Sequence, residues 1–227
     1  MFTSNSFNNK RVLVTGGTRG IGKSISDNFL KLGATVIATG KDDLDLKDSI
    51  SIEKFCCDLG EIDICINNAG VNYIDLFCES RDIDWDEIIQ VNLTGAYKIS
   101  KEVARGMIER RYGRIINIGS IWGNVSRVGR AAYSASKSGL KGLTLAMAAE
   151  LAQYGVLVNT VSPGFTLTEL TKKILGEQGI EDVQKEIPAG RIAIPQDISN
   201  VVLFLASDLN TYISGQDIIV DGGFTNV

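Results

Sequence analysis

The sequence predicts an α/β fold with a doubly wound parallel sheet of six strands, in a single domain covering residues 1–227. Short apolar runs that suit buried strands alternate with longer stretches whose apolar residues follow helical spacing. A glycine-rich loop, residues 16–22, joins the first of these strands to the first helix. Neither an internal repeat nor a low-complexity linker divides the chain, so we predict one domain.

The composition excludes several classes of protein. The 227 residues carry a net charge of −4 with both signs mixed along the chain, so no basic block indicates nucleic-acid binding. No apolar run approaches the roughly 20 residues that span a bilayer, and residues 1–10 lack the apolar core of a signal peptide. The four cysteines have no metal-site spacing. We therefore expect a cytoplasmic protein without a metal, a membrane segment or a nucleic-acid partner.

Histidine is absent from the chain. Catalytic triads that use histidine and metal sites that contain it are therefore excluded. Tyrosine and lysine remain as the natural proton carriers of any enzyme built on this sequence.

The first part of the chain has the order strand, glycine loop, helix and strand. Residues 11–15 predict a strand and residues 23–32 an amphipathic helix. Gly33 suits the C-cap of this helix, and residues 34–39 predict the second strand. A glycine loop in this position lets backbone N–H groups and a helix N-terminus approach a pyrophosphate, as in a Rossmann-type dinucleotide site.

Three further elements lead to the centre of the chain. Residues 62–66 predict a strand, and the small residues Asn67-Asn-Ala-Gly70 after it can run close to the adenosine side of a nucleotide. Residues 82–110 predict one long helix, in which Asn92 is an interruption that can bend the helix and hold a water. Residues 114–119 predict the next buried strand.

Ser120, Tyr133 and Lys137 form the candidate proton-transfer site. Ser120 follows a predicted strand end, and a helical run continues past Lys137 to about Tyr154. Tyr133 and Lys137 are four residues apart and share one face of that helix. A phenol has an ordinary pKa of about 10, and we expect the Lys137 ammonium to lower the pKa of Tyr133. Ser120 can then hold a carbonyl or hydroxyl oxygen beside the phenol.

The last part of the chain continues the alternation of strands and helices. Residues 155–159 predict a strand that ends at Ser162-Pro-Gly164. The segment from about 165 to 190 is polar with weak helical periodicity, and we expect it to be a mobile substrate lid. Residues 195–206 predict a helix with proline at its start, and residues 217–220 predict the last strand.

Taken in order, these motifs closely resemble those of the short-chain dehydrogenase/reductase family along nearly the whole chain. The matching segments are the cofactor loop (residues 15–22), the sheet-stabilising motif (residues 67–70), the catalytic tetrad (Asn92, Ser120, Tyr133 and Lys137), the nicotinamide-side motif (Pro163-Gly164 with Thr168) and the C-terminus (residues 214–223).

The resemblance implies an oxidoreductase that interconverts a ketone and a secondary alcohol by hydride transfer. Tyr133 would be the acid in reduction and the base in oxidation, and Lys137 would lower its pKa and bind the nicotinamide ribose. Ser120 would hold the substrate oxygen, and Asn92 a water that links Lys137 to solvent. The implied cofactor contacts are Gly16, Thr18, Arg19, Gly20, Ile21, Gly22, Thr39, Lys41, Asp45, Leu46, Asn68, Ala69, Gly70, Tyr133, Lys137, Pro163, Gly164, Thr166 and Thr168.

One segment departs from the family. The family has a helix and a third strand after its second strand, before an aspartate that contacts adenine. Here Gly40 follows Thr39 at once, and Asp45-Leu46 match that adenine contact. We therefore predict that one strand and one helix are missing, that residues 34–39 form the sheet edge and that the adenosine pocket is unusually open. The alternative is a wall supplied by a partner subunit.

The end of the second strand bears on the choice of cofactor. Thr39 stands where an acidic residue would bond the ribose 2′-OH of NAD. Arg19 and Lys41 favour the 2′-phosphate of NADP, whereas Asp42 and Asp43 oppose it. We predict that NADP(H) is favoured over NAD(H).

The closest subgroup is the 3-oxoacyl-[acyl-carrier-protein] reductases, which residues 110–120 and 188–191 resemble. This favours a 3-oxoacyl thioester as substrate. Arg110, Arg111 and Arg114 would dock an acidic carrier protein, or would merely complement a helix dipole. A sugar, nucleotide-sugar or polyol dehydrogenase is the alternative, and a non-catalytic NADP-binding regulator is a third hypothesis. The family also implies a homodimer or homotetramer.

Overall fold

A computed structural model describes the backbone of residues 2–227 and their side chains, apart from the side chain of residue 170. The strands are β1 (Arg11–Val14), β2 (Thr35–Ala38), β3 (Ile64–Asn67), β4 (Gly113–Ile118), β5 (Val156–Pro163) and β6 (Asp217–Val220). The α-helices are α1 (Gly20–Lys31), α2 (Ser49–Asp58), α3 (Asp82–Ile89), α4 (Gly95–Arg110), α5 (Ala131–Leu151), α6 (Glu169–Glu186) and α7 (Pro195–Ala206).

All six strands are parallel and form one sheet in the order β2-β1-β3-β4-β5-β6. The predicted doubly wound class is confirmed. The shortened segment also has the predicted effect, because β2 lies at the sheet edge and the chain passes from it directly into α2. Among residues 2–227, no strand lies beyond β2.

Two apolar cores cover the two faces of the sheet. Successive residues of a strand point to opposite faces, so Ile115 and Ile116 of β4 belong to different cores. The first core holds Ile115 with Met107 of α4 and further residues of α2 and α5. The second holds Ile116 with Phe29 of α1 and residues of α7. The central strands β3, β4 and β5 are buried along their whole length, as expected for a parallel sheet that is covered on both faces. None of the helices described is both long and apolar enough to cross a bilayer.

The helix predicted over residues 82–110 is interrupted at Asn92, as expected. The helical path continues, but α3 and α4 are separated by a π-helical turn, Gln90–Thr94. Asn92 lies in this turn, and its side-chain amide bonds both backbone groups of Val71. A wider turn of this kind is found mostly at functional sites.

The predicted lid, at about residues 165–190, consists mainly of α6. Gly176 interrupts this helix with φ 66° and ψ −178°. The segment packs through Val183, Ile187 and Ile192 on a small apolar cluster separate from the two main cores. Its mobility stays a prediction.

The carboxyl ends of β1, β3, β4 and β5 meet at one edge of the sheet. β1 lies between β2 and β3, so the chain winds outward in both directions from this point. Ligands of open α/β sheets bind in the crevice beside such a reversal. The glycine loop, residues 67–70, Ser120 and Gly164 all follow these strand ends.

Candidate active site

The glycine loop between β1 and α1 is packed so closely that it excludes side chains. Gly16 has φ 62°, and Gly20, which begins α1, has φ 55°. A Cβ added at Gly22 would lie 2.2 Å from the carbonyl oxygen of Gly16. The first turn of α1 therefore rests directly on the loop, leaving the backbone N–H groups of its N-terminus open to an anion. Ile21 in the same turn packs against the second core.

Residues 68 and 69 fix this loop in place through hydrogen bonds. The Asn68 Nδ2 donates to the carbonyl oxygens of Thr15 at 3.0 Å and Gly16 at 2.9 Å. The Thr15 hydroxyl accepts from the backbone N–H groups of Asn68 and Ala69, both at 3.1 Å. These four bonds join the ends of β1 and β3, so the loop is fixed to the sheet.

A buried polar chain, which the sequence analysis missed, ties the strand ends to α5. The Asn67 Nδ2 donates to the Asn117 Oδ1 and the Ser100 Oγ, both at 2.8 Å. The Asn117 Nδ2 donates to the Thr144 Oγ1 at 2.8 Å, and Thr144 pairs with Thr160 at 2.8 Å. All five residues are buried. The chain crosses β3, β4 and β5 and ends on the helix that carries Tyr133.

Ser120, Tyr133 and Lys137 lie together at the carboxyl edge. Ser120 follows β4 and is buried, and its Oγ accepts from the Trp122 N–H at 3.2 Å. It is close enough to Tyr133 to lower the pKa of that phenol. Tyr133 is in the first turn of α5, and Lys137 lies one turn later on the same face. The Lys137 Nζ lies 5.6 Å from the centroid of the Tyr133 ring and donates to the Ile118 carbonyl oxygen at 2.8 Å.

The expected lowering of the Tyr133 pKa by Lys137 stays a prediction. In the folded chain burial raises the pKa of Tyr133, and the neighbouring Ser120 hydroxyl and the charge of Arg130 only partly oppose this rise. The Lys137 ammonium contacts the Ile118 carbonyl and faces the Tyr133 ring from one side. Burial also lowers the pKa of Lys137 itself, to about 8.

Asn92 and Gly70 adjoin Lys137. The Asn92 Oδ1 accepts from the Val71 N–H at 2.8 Å, and its Nδ2 donates to the Val71 carbonyl oxygen at 2.9 Å and to the Ser136 Oγ at 3.1 Å. A Cβ at Gly70 would lie 3.3 Å from the Asn92 Oδ1 and 3.7 Å from the Lys137 Nζ. The side-chain amide of Asn92 is thus fully engaged, and the water predicted at Asn92 stays a prediction.

The segment after β5 reaches across to the glycine loop. Thr166 is buried and donates its hydroxyl to the Gly164 carbonyl oxygen at 3.1 Å. Thr168 is the N-cap of α6, and its methyl carbon would lie 3.4 Å from a Cβ at Gly20. Pro163, at the end of β5, and residues 164–168 therefore form the wall opposite the loop.

The adenosine side of the crevice lies beyond β2. Thr39 is buried, and its carbonyl oxygen accepts from the Gly17 N–H at 2.9 Å. The Asp43 Oδ2 accepts from the Gly40 N–H at 2.8 Å. The Thr18 Oγ1 and the Asp43 Oδ2 each lie 3.5 Å from the place of a Cβ at Gly40. The shortened segment thus folds one carboxylate back towards the end of β2.

The other predicted adenosine-side residues surround this point. Asp45 is half-buried and accepts from the Lys47 N–H at 3.0 Å. Leu46 is buried against Gly95 at the start of α4. Arg19 and Lys41 are exposed, and neither forms an ion pair with the residues described.

This arrangement fits a nicotinamide dinucleotide. Glycines at positions 16, 20 and 70 give a floor without side chains, and Thr168 faces the loop from the other side. By the sequence-based assignment, Lys137 and Tyr133 would lie at the nicotinamide end, and Thr18 and Gly40 at the adenosine end. A chain of this kind can hold a dinucleotide with its reactive ring beside a phenol.

An aromatic wall, also missed in the sequence, stands beside Ser120. Trp122 is buried and makes edge-to-face contacts with Phe165 and Phe224, at ring-centroid distances of 5.8 and 6.1 Å. The Arg130 guanidinium carbon lies 5.8 Å from the Trp122 ring centroid. The available signal was the position of Trp122 two residues after Ser120 and of Arg130 one turn before Tyr133.

The predicted basic docking patch is wrong. Arg114 is only 7% exposed, and its guanidinium donates to the carbonyl oxygen of Gly113 at 2.9 Å. Arg110 donates to the Ile62 carbonyl oxygen at 2.7 Å. Both arginines satisfy backbone acceptors at the amino ends of the strands, the edge opposite Ser120. Of the three, Arg111 is the exposed one.

Comparison with known proteins agrees with this geometry. A family model described as enoyl-(acyl carrier protein) reductase matches residues 45–225. The chain is 38% identical to the 3-oxoacyl-[acyl-carrier-protein] reductase FabG of Escherichia coli (strain K12), over 96% of this chain and 98% of that protein.

Solved structures with the same fold include two proteins provisionally assigned to gluconate chemistry. A gluconate dehydrogenase so assigned, from Agrobacterium tumefaciens, has a TM-score of 0.93 and 32% identity, over 99% of both chains. An NAD(P)-dependent gluconate 5-dehydrogenase so assigned, from Beutenbergia cavernae with bound NADP at low occupancy, has a TM-score of 0.92 and 31% identity, over 99% of this chain and 100% of that one.

The chain therefore belongs to the short-chain dehydrogenase/reductase family. It is an oxidoreductase that acts on a CH–OH/C=O pair with a nicotinamide cofactor.

Proposed function

We propose that this enzyme reduces a 3-oxoacyl thioester to the 3-hydroxyacyl thioester, with NADPH as the reductant. The observation that carries the proposal is the position of Tyr133 and Lys137 on one face of α5, with the Lys137 Nζ beside Gly70 and Ser120 at the adjoining end of β4. The similarity to FabG proteins along both whole chains supports the thioester as substrate.

The residues of the chain divide the work of the reaction. A bound nicotinamide cofactor supplies the hydride. Ser120 holds the carbonyl oxygen of the substrate, and Tyr133 gives its phenolic proton to that oxygen. Burial raises the pKa of Tyr133, so the phenol carries its proton before reduction. It gives up that proton because the alkoxide that develops on the substrate oxygen is a stronger base than the phenolate. Lys137, next to the bare backbone of Gly70, binds the nicotinamide ribose.

The preference for NADP(H) rests on two exposed cations. Arg19 lies at the N-cap of α1, and Lys41 follows Gly40 at the adenosine end. A 2′-phosphate there would gain charge-assisted hydrogen bonds from them. The Asp43 carboxylate, which accepts from the Gly40 N–H, would repel a 2′-phosphate and so weakens this preference.

The experiment follows NADPH oxidation by absorbance with three substrates: an acetoacetyl thioester, a keto-sugar acid and a simple ketone. We expect the thioester to have the highest kcat/KM. Tyr133→Phe should lower turnover by about 10²–10⁴-fold, the contribution of a positioned acid, while the variant still binds the cofactor. Tyr154→Phe is the matched control, since the Tyr154 hydroxyl bonds to none of the residues described. A thioester that is not reduced, or a Tyr133→Phe variant with full turnover, would contradict the proposal.

A sugar-acid dehydrogenase is the second candidate. The likeness to the Agrobacterium tumefaciens structure supports it, as does the polar composition of residues 165–187. Oxidation of gluconate by NADP⁺ or NAD⁺, with no reduction of the thioester, would establish it instead. A non-catalytic regulator would show no turnover with any substrate and an output indifferent to Tyr133→Phe. The homodimer or homotetramer stays a prediction.

A further inference from the structure

Arg130 stands apart from the other enclosed arginines. Of the residues described, three arginines are buried or half-buried: Arg110, Arg114 and Arg130. Arg110 and Arg114 donate to backbone carbonyl oxygens and face carboxylates. The Arg130 guanidinium has no hydrogen bond or ion pair among residues 2–227, and it lies over the ring of Trp122. Burial lowers the pKa of Arg130, Tyr133 opposes this and the charge of Arg127 adds to it.

The position of Arg130 places its guanidinium beside the reacting centre. It is the N-cap residue of α5, three residues before Tyr133, so the two side chains share one side of the helix. The guanidinium carbon lies 5.8 Å from the ring centroid of Trp122, which closes the site next to Ser120. The charge of Arg130 lowers the pKa of the Tyr133 hydroxyl. Arg130 thus flanks Tyr133 on the side of Ser120 and Trp122.

Arg130 is half-buried, and apart from the Trp122 ring its guanidinium has no partner among the residues described, so its N–H groups are free to bind a ligand oxygen. A planar fork of N–H groups matches the oxygens of an acyl group or a carboxylate. Trp122, Phe165 and Phe224 offer an apolar surface next to it. The site therefore combines Ser120 and Tyr133, which bind the reacting carbonyl, with an Arg130 guanidinium that can donate to a second oxygen and with an apolar wall.

We infer that Arg130 is the substrate-positioning residue that binds a second acyl oxygen of the substrate, while Ser120 and Tyr133 hold the reacting carbonyl. The substrate class is a 3-oxoacyl compound, whose C1 oxygen lies two carbons from the reacting carbon. Both a thioester and a free 3-oxo carboxylate carry that oxygen. This inference rests on the proposed reduction and extends it to the part of the substrate that does not react.

The test compares Arg130→Gln and Arg130→Lys with the unchanged protein on three substrates: an acetoacetyl thioester, acetoacetate and a simple ketone without a second acyl oxygen. Arg130→Gln should lower kcat/KM about 10–100-fold for whichever 3-oxoacyl compound the enzyme accepts, as expected for a lost bond to a charged group. The loss should fall mainly on KM. It should leave the simple ketone and the cofactor affinity within about threefold, and Arg130→Lys should recover part of the loss.

Arg127→Gln is the matched control. It removes the same charge from the same loop, but Arg127 is exposed and faces Glu186 at 3.6 Å. Equal losses for all three substrates would overturn the inference, because they would assign Arg130 to the structure or to the acidity of Tyr133. No loss with any substrate would also overturn it. If the unchanged enzyme reduces neither 3-oxoacyl compound, the proposed function itself fails, and this result is distinct from the other two.

Discussion

Gly22→Ala tests whether cofactor binding depends on close packing between the glycine loop and α1. A Cβ at this position would lie 2.2 Å from the Gly16 carbonyl oxygen and 2.4 Å from the Asn68 Nδ2. Ordinary contact begins at 3.4 Å, so the oxygen would have to retreat by 3.4 − 2.2 = 1.2 Å. Overpacking of this kind costs about 1–3 kcal/mol. Loss of one Asn68 hydrogen bond adds about 1 kcal/mol.

We therefore expect Gly22→Ala to lower the free energy of unfolding by about 2–4 kcal/mol. A loop displaced by this much would also misplace the N–H groups at the start of α1, so cofactor affinity should fall at least about tenfold. Urea unfolding measures the first quantity, and a fluorescence titration with NADPH measures the second.

Gly142→Ala is the control for this experiment. Gly142 lies within α5, and a Cβ there would meet no atom within 4 Å. Alanine in a helix interior is favoured over glycine by about 0.5–1 kcal/mol, so this variant should be slightly more stable and bind NADPH normally. If Gly22→Ala unfolded at the same urea concentration as the unchanged protein and bound NADPH equally well, neither stability nor cofactor binding would depend on the close packing of the loop against α1.

Two further predictions concern charge. The pKa of Lys137 is about 8 in the folded protein, below its ordinary value of 10.5. The charged Lys137 therefore lowers the free energy of unfolding below pH 8, and this destabilisation disappears as the pH rises from 8 towards 10.5. The unfolding free energy of the unchanged protein minus that of Lys137→Met should thus rise by about 2 kcal/mol between pH 7 and pH 10; a constant difference in urea unfolding would contradict this. Arg19→Ala should lower kcat/KM about tenfold for NADPH and change it little for NADH. Asp43→Asn should raise kcat/KM for NADPH. A strong preference for NADH that neither substitution changes would refute the cofactor assignment.

Most of the fold could be predicted from the sequence because its signals are local. The apolar runs became strands, and the lack of about twenty residues after Thr39 correctly predicted that β2 would lie at the edge. The π-helical turn was not predictable in the same way. It coincides with bonds between Asn92 and Val71, which are 21 residues apart in the chain.

The candidate site was predictable in its residues but not in its electrostatics. Spacing alone placed Tyr133 and Lys137 on one helix face. The raised pKa of Tyr133 depends on how far the fold removes the phenol from water, which residue spacing does not show. The lack of a hydrogen-bond acceptor for the Arg130 guanidinium is likewise a property of tertiary packing, because it depends on which side chains the neighbouring elements place around it.

The polar bonds around Asn92 suggest why a regular helix would serve this site less well. Val71 follows Gly70, the bare floor beside Lys137, and Ser136 immediately precedes Lys137 in the chain. One amide bonds both Val71 and Ser136, so it sets the spacing between the cofactor floor and the catalytic helix.

The Asn67–Thr160 chain fixes the same helix to the sheet at a second point, near Thr144. Because α5 is bonded at both Ser136 and Thr144, it cannot rotate about its axis, and the directions of Tyr133 and Lys137 are set before any ligand binds. Groups fixed in this way need no reorganisation as charge develops on a carbonyl oxygen, which is the main source of electrostatic catalysis.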